Sequence, residues 1–79
     1  SVSRGVKRYL DTHDLSERVS DALLTGQIVS GMSKKQVRLL HGEPDQVVTQ
    51  DDSERWLYRG DGFKRQILFE DGAVTDLAR

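Results

Sequence analysis

Residues 31–44 read GMSKKQVRLLHGEP, and this stretch decides the fold because helical periodicity ends in it and strand periodicity follows it. Ser33 and Gln36 have the spacing of a capping box, in which two side chains satisfy N–H groups at the start of a helix. Gly42 is suited to ending that helix, and Pro44 prevents it from resuming. The sequence therefore predicts a short helix with well-defined ends, placed between two turns.

Two further helices are predicted before this stretch, because apolar residues there recur three or four positions apart. The three predicted helices cover residues 3–11, 15–25 and 34–41. Asp14, which is followed by Glu17 three positions later, is expected to cap the second helix.

After the third helix, the spacing of apolar residues changes to two, which is typical of strands. Turn-forming sequences at residues 51–53, 60–62 and 71–72 divide this part of the chain into short strands. Strands joined by such short turns form an antiparallel meander, and one face of it must pack on the helices. The predicted fold class is α+β, with N-terminal helices on one face of a small antiparallel β-meander of three or four strands over residues 46–77.

A chain of 79 residues is expected to form one domain with a thin core. We interpret residues 1–79 as a single domain, with a helical lead-in over 1–27 and the motif-bearing helix and sheet over 28–77. The predicted core residues are Leu23, Val37, Leu40, Trp56 and Phe69.

The composition excludes several classes of function. The chain has 12 basic and 13 acidic residues, so its formal net charge of −1 gives no overall attraction to nucleic acid. It has no cysteine, which excludes disulfides, thiolate metal ligands and cysteine nucleophiles from this sequence. No apolar run approaches the roughly 20 residues that a membrane helix needs.

No constellation of catalytic or metal-binding residues is evident. His13 and His41 are the only histidines, and both lie at predicted helix ends, where a cation is favourable. A catalytic zinc site needs about three protein ligands around an open position. Aspartates and glutamates concentrate in predicted turns, where their side chains bond nearby backbone N–H groups. We therefore expect no enzyme activity, no metal and no cofactor.

The motif at residues 31–44 is followed by Trp56-x-Tyr58 and then by LFEDGAV at residues 68–74. In this order the three segments resemble the SmpA/OmlA (BamE-like) family of small outer-membrane lipoprotein domains, and the resemblance covers residues 28–77. It implies a domain of the bacterial cell envelope, in the periplasm or at the inner leaflet of the outer membrane. It also implies a protein-binding role in outer-membrane assembly or maintenance.

The predicted hairpin between the second and third strands concentrates aromatic and arginine residues, which carry much of the energy of protein interfaces. Because the apolar stripes of the helices are needed for the core, we expect the hairpin to contact a partner protein. The predicted partner-binding residues are Tyr58, Arg59, Phe63, Lys64 and Arg65. The edge of the antiparallel sheet is a second surface, available for strand addition.

Two other functions are compatible with the sequence. A cytoplasmic regulatory or nucleic-acid-binding domain would use the basic side chains of the third helix and the hairpin, which are Lys34, Lys35, Arg38, Lys64 and Arg65. An enzyme-inhibitor-like module would also combine helices with a small sheet. The balance of charges argues against nucleic acid, and a peripheral contact with acidic lipid headgroups is a minor alternative for the same residues.

Overall fold

The computed structural model describes residues 3–60 and 63–78, except for the side chains at positions 63, 64 and 76–78. Three helices precede four strands, and no helix in these ranges is long and apolar enough to cross a membrane. The helices are α1 (Arg4–Thr12), α2 (Glu17–Thr25) and α3 (Lys34–His41). The strands are β1 (Gln46–Gln50), β2 (Ser53–Gly60), β3 (Phe63–Glu70) and β4 (Ala73–Ala78).

The four strands form one antiparallel sheet in the order β1-β2-β3-β4, as expected for a meander. In the central register, Trp56 of β2 lies opposite Val47 of β1 on one side and Ile67 of β3 on the other. The pairing of β3 with β4 shifts by a bulge between Leu68 and Phe69. The predicted α+β class is therefore confirmed.

The start of α3 has the predicted capping box. The Ser33 hydroxyl accepts a hydrogen bond from the backbone N–H of Gln36 at 3.2 Å, and Oε1 of Gln36 accepts one from the N–H of Ser33 at 2.9 Å. The buried Gln36 amide also donates to the Tyr9 hydroxyl at 3.1 Å. One side chain thus fixes the start of α3 and joins that helix to α1.

The start of α2 differs from the prediction, because Ser16 and not Asp14 caps the helix. The Ser16 hydroxyl accepts a hydrogen bond from the backbone N–H of Val19 at 3.3 Å. Asp14 lies two positions too early for this bond, in a part of the chain that has no helical conformation. Glu17 is the first helical residue, where a negative charge interacts favourably with the helix dipole.

The core lies between the helices and one face of the sheet. Four of the predicted core residues are buried, namely Leu23, Val37, Trp56 and Phe69. The rings of Trp56 and Phe69 pack at 4.6 Å between centroids in a tilted arrangement, which is favourable for aromatic pairs. The other apolar residues that are buried in the described part of the chain are Val6, Ala22, Ile28, Met32, Ile67 and Val74.

The prediction that Leu40 belongs to the buried core is wrong. Leu40 is only partly buried and packs against the core cluster from outside. Leu40 lies in the last turn of α3, which ends one residue later at His41. Its side chain is therefore at the end of the helical layer and is covered on one side only. Val37, one turn earlier on α3, is fully buried.

The two edges of the sheet differ. The segment before α3 covers the start of β4, because Gly31 N–H donates to the Val74 carbonyl and Val74 N–H donates to the Met32 carbonyl, both at 2.8 Å. At the other edge, all five residues of β1 are exposed.

Candidate binding site

A concave site of about 220 Å³ opens where β2 ends, β3 begins and α3 ends. Among the described residues, those that line it are His41, Tyr58, Arg59, Gly60 and Arg65. We call it the arginine pocket. Three of the predicted partner-binding residues, Tyr58, Arg59 and Arg65, therefore lie together, although they were proposed only from their residue types and their place in a hairpin.

The register of the β2–β3 pair sets the floor of the arginine pocket. Tyr58 and Arg65 lie directly opposite each other, two pairs beyond Trp56 and Ile67. Because successive side chains of a strand alternate between faces, Tyr58 and Arg65 share the face on which Trp56 and Ile67 are buried. The core thus continues into the pocket, where its apolar side chains are replaced by a phenol and a guanidinium.

The two other predicted binding residues, Phe63 and Lys64, have only their backbones described. Phe63 pairs with Gly60 and Lys64 pairs with Arg59, so both belong to the same hairpin end. Their side chains lie outside the described residues, and their part in binding stays a prediction.

Tyr58 forms a fixed wall of the arginine pocket. Its hydroxyl donates a hydrogen bond to the carbonyl oxygen of Gly42 at 2.8 Å, which joins β2 to the end of α3. Burial raises the pKa of Tyr58 to about 12, and the nearby carboxylate of Glu43 acts in the same direction. The phenol therefore stays neutral at physiological pH.

His41 forms the helical wall of the arginine pocket. Its Nε2 lies 3.3 Å from a guanidinium nitrogen of Arg65, and its ring centroid lies 5.8 Å from that of Tyr58. Burial lowers the pKa of His41, and the positive charge of Arg65 lowers it further. Since a guanidinium can only donate, the contact requires a neutral imidazole that accepts at Nε2, a tautomer assigned from this geometry.

Sequence reasoning treated His41 only as a favourable cation at a helix end and missed its place in the pocket. The sequence contains little that would indicate this place, because the spacing of His41 and Arg65 does not show that α3 and β3 bring them together.

Arg59 occupies the exposed rim of the arginine pocket, whereas Arg65 is half-buried. The backbone N–H of Arg59 donates to Oδ2 of Asp45 at 2.6 Å, which holds the end of β2 beside the start of β1. This bond is made by the backbone of Arg59, so the guanidinium group takes no part in it.

The described walls of the arginine pocket contain no group that neutralises its charges. Among the described side chains, the two ion pairs are Lys34–Glu54 at 2.5 Å and Arg38–Glu43 at 2.8 Å, and neither includes an arginine of the pocket. No acidic residue is among the lining residues that the structure describes. One permanent cation beside a neutral histidine, with a second cation at the rim, makes a site that favours an anion.

The arginine and tyrosine side chains of the pocket are suited to binding and not to proton transfer. A guanidinium does not lose its proton in proteins, and a phenol with a pKa of about 12 keeps its proton at neutral pH. Within residues 3–60 and 63–78, no group of three or more histidine or acidic side chains is placed to hold a metal ion.

The chain was compared with protein-family models, with curated proteins and with solved structures, and no match was found in any of the three comparisons.

Proposed function

We propose that this chain is a non-catalytic protein-interaction module that binds an acidic segment of a partner protein in the arginine pocket. The observation that carries the proposal is the meeting of Arg65, His41 and Tyr58 in one concave site with Arg59 at its rim, where the described lining residues include no carboxylate. An aspartate or glutamate side chain of the partner would accept charge-assisted hydrogen bonds from the guanidinium groups, which are stronger than bonds between neutral groups.

The size of the arginine pocket favours a side chain over a free small molecule. Its volume of about 220 Å³ is below the range of roughly 300–1,000 Å³ that is usual for cofactor and drug-sized ligands. It has room for one or two side chains, and Tyr58 supplies a rigid aromatic wall of the kind that is common at interfaces.

The basic face of α3 gives less support to the nucleic-acid alternative. Lys34 pairs with Glu54, and Arg38 pairs with Glu43, so two of its three cations already have anionic partners. A phosphate backbone would have to displace these carboxylates, and the formal net charge of −1 supplies little long-range attraction.

For the cellular setting, we propose the bacterial cell envelope, and the resemblance of residues 31–44 and 68–74 to the SmpA/OmlA family is the support for it. Fractionation of the source cells with an antibody against the domain tests this. Recovery with the envelope fraction is the expected result, and recovery in the cytosol would favour a cytoplasmic regulatory role.

The binding proposal is tested by calorimetric titration with a capped peptide that alternates glutamate and phenylalanine. The pocket variant is Arg59→Ala/Arg65→Ala. The matched control is Arg4→Ala/Arg8→Ala on exposed positions of α1, which removes the same charge elsewhere. We expect affinity to fall at least about tenfold, which corresponds to roughly 1.4 kcal/mol, in the pocket variant and to change little in the control.

Three other outcomes would contradict the proposal. An equal loss in both variants would show that only overall charge matters. Equal binding by all three proteins would place the contact elsewhere. Tighter binding of a single-stranded oligonucleotide, or of vesicles with acidic lipids, than of the peptide would favour the corresponding alternative partner.

A further inference from the structure

We propose that β1 pairs in antiparallel fashion with β1 of a second copy, about a twofold axis at Val48. The four strands of each copy would then join into one continuous sheet. β1 is an edge strand of the sheet, and its five residues are all exposed. This contact is separate from the arginine pocket and does not depend on the function proposed for it.

The two edges of the sheet are protected very differently. Exposed edges usually carry lysine, proline or a bulge, or are covered, because their unpaired N–H and C=O groups otherwise recruit another strand. The β4 edge has both a cover and a bulge, from the hydrogen bonds of Val74 with the preceding loop and from the register shift after Leu68. The sequence of β1, QVVTQ, contains no charge, no proline and no glycine.

The sequence of β1 is self-complementary, which is what a twofold interface requires. If Val48 lies opposite Val48 of the second copy, Val47 lies opposite Thr49 and Gln46 lies opposite Gln50. In an edge strand, the backbone N–H and C=O groups of every second residue point away from the sheet. In this register such residues of one copy lie opposite such residues of the second copy, so their backbone groups can pair. β-branched side chains then face each other at the centre, and pairs of this kind stabilise sheets.

The charges at the two ends of β1 oppose this arrangement in part. Pairing about Val48 brings Asp51 of one copy towards Asp45 of the second copy, and like charges that lie opposite each other destabilise a strand pair. Salt screens such exposed charges, so we expect self-association to strengthen as the ionic strength rises.

The helices do not obstruct this contact. Val47 lies on the helix-facing side of the sheet, opposite Trp56, and is nevertheless 47% exposed, so no described helix covers β1. Because Val48 pairs with itself, the helical layers of both copies lie on the same side of the joined sheet. Five residues per copy are far fewer than the roughly 20–30 per side of a stable interface, so the association is weak and concentration-dependent.

Single cysteines test the register directly, because the chain has no cysteine of its own. Residues directly opposite in an antiparallel pair have Cα atoms about 4.5–5.5 Å apart, which suits a disulfide. Val48→Cys is therefore expected to form a crosslinked dimer under mild oxidation. Val47→Cys is the matched control, since positions 47 of the two copies are diagonal neighbours, too far apart for the bond. Both positions are comparably exposed, at 41% and 47%.

Sedimentation of the unmodified chain and of Val48→Lys gives the second measurement. Like charges directly opposite each other destabilise a strand pair, so we expect self-association to weaken at least about tenfold in Val48→Lys. Gln66→Lys, at an exposed position of the interior strand β3, is expected to associate like the parent chain. A parent chain that stays monomeric up to about 1 mM, or equal crosslinking of the two cysteine variants, would overturn the proposal.

Discussion

Arg65 of β3 contacts His41 of α3 through a guanidinium nitrogen that lies 3.3 Å from Nε2 of the imidazole. This contact connects the sheet to the end of the last helix and closes one side of the arginine pocket. It also adds to the effect of burial on His41, because a permanent cation beside the imidazole disfavours a second positive charge.

Replacing Arg65 by glutamine is expected to raise the pKa of His41 only part of the way to its ordinary value of 6.5. Burial is the larger cause of the lowered pKa, and it remains when the charge of Arg65 is removed. NMR titration of the imidazole, assigned with a His41→Gln variant, measures this. A His41 pKa that is the same in Arg65→Gln and in the parent chain would show that the two groups do not interact in solution.

Tyr58→Phe is expected to destabilise the fold by about 0.5–1.5 kcal/mol at neutral pH, because the hydrogen bond to the Gly42 carbonyl is lost. The raised pKa, about 12 against 10.0, means that the folded state favours the protonated phenol. The contribution of the Tyr58 phenol to the free energy of unfolding is complete below pH 10 and is lost as the pH rises towards 12. Urea unfolding at pH 7 and pH 11 should thus show a smaller alkaline loss in Tyr58→Phe than in the parent chain.

Glu54→Gln is expected to make stability less dependent on acid pH. Glu54 accepts hydrogen bonds from Lys34 at 2.5 Å and from the Trp56 indole at 2.8 Å. Both bonds lower the pKa of Glu54 below 4.5, and the bond from Lys34 has the larger effect. The contribution is therefore present above pH 4.5 and is lost as the pH falls through the lowered pKa. Unfolding followed by the fluorescence of the single tryptophan should show parent and variant converging at low pH, and a constant difference would contradict this.

Leu23→Ala and Leu40→Ala are expected to differ in cost, although both remove the same atoms. Leu23 is 2% exposed, and its loss should cost about 2–5 kcal/mol through transfer energy and a cavity. Leu40 is half-buried, so roughly 1–2 kcal/mol is expected because solvent already reaches part of its side chain. Equal urea midpoints for the two variants would show that α3 packs more deeply than the structure places it.

The sequence predicted features that depend on local chemistry. The Ser33–Gln36 capping box and the end of α3 at Gly42 were identified correctly because each needs only residues within one helical turn. The prediction that Asp14 caps α2 was wrong, because Asp14 and Ser16 are both good caps and only the path of the chain selects Ser16. The partial exposure of Leu40 depends on where the helical layer ends on the sheet, which its own periodicity does not reveal.

The arginine pocket could be predicted only in part. A hairpin rich in aromatic and arginine residues indicated Tyr58, Arg59 and Arg65, since these residue types are common at interfaces. His41 was not included because its contact with Arg65 spans 24 positions of sequence and depends on how α3 packs against the sheet. No periodicity or motif in the sequence indicates a long-range contact of this kind.

The most direct test of the central claim is to map the contact by NMR during titration with the capped glutamate–phenylalanine peptide. The account predicts the largest amide shifts at residues 58–60 and at Arg65, together with a rise in the pKa of His41 as the bound carboxylate offsets the charge of Arg65. Largest shifts on the 34–38 face of α3, or an unchanged His41 in a protein saturated with peptide, would contradict binding in the arginine pocket.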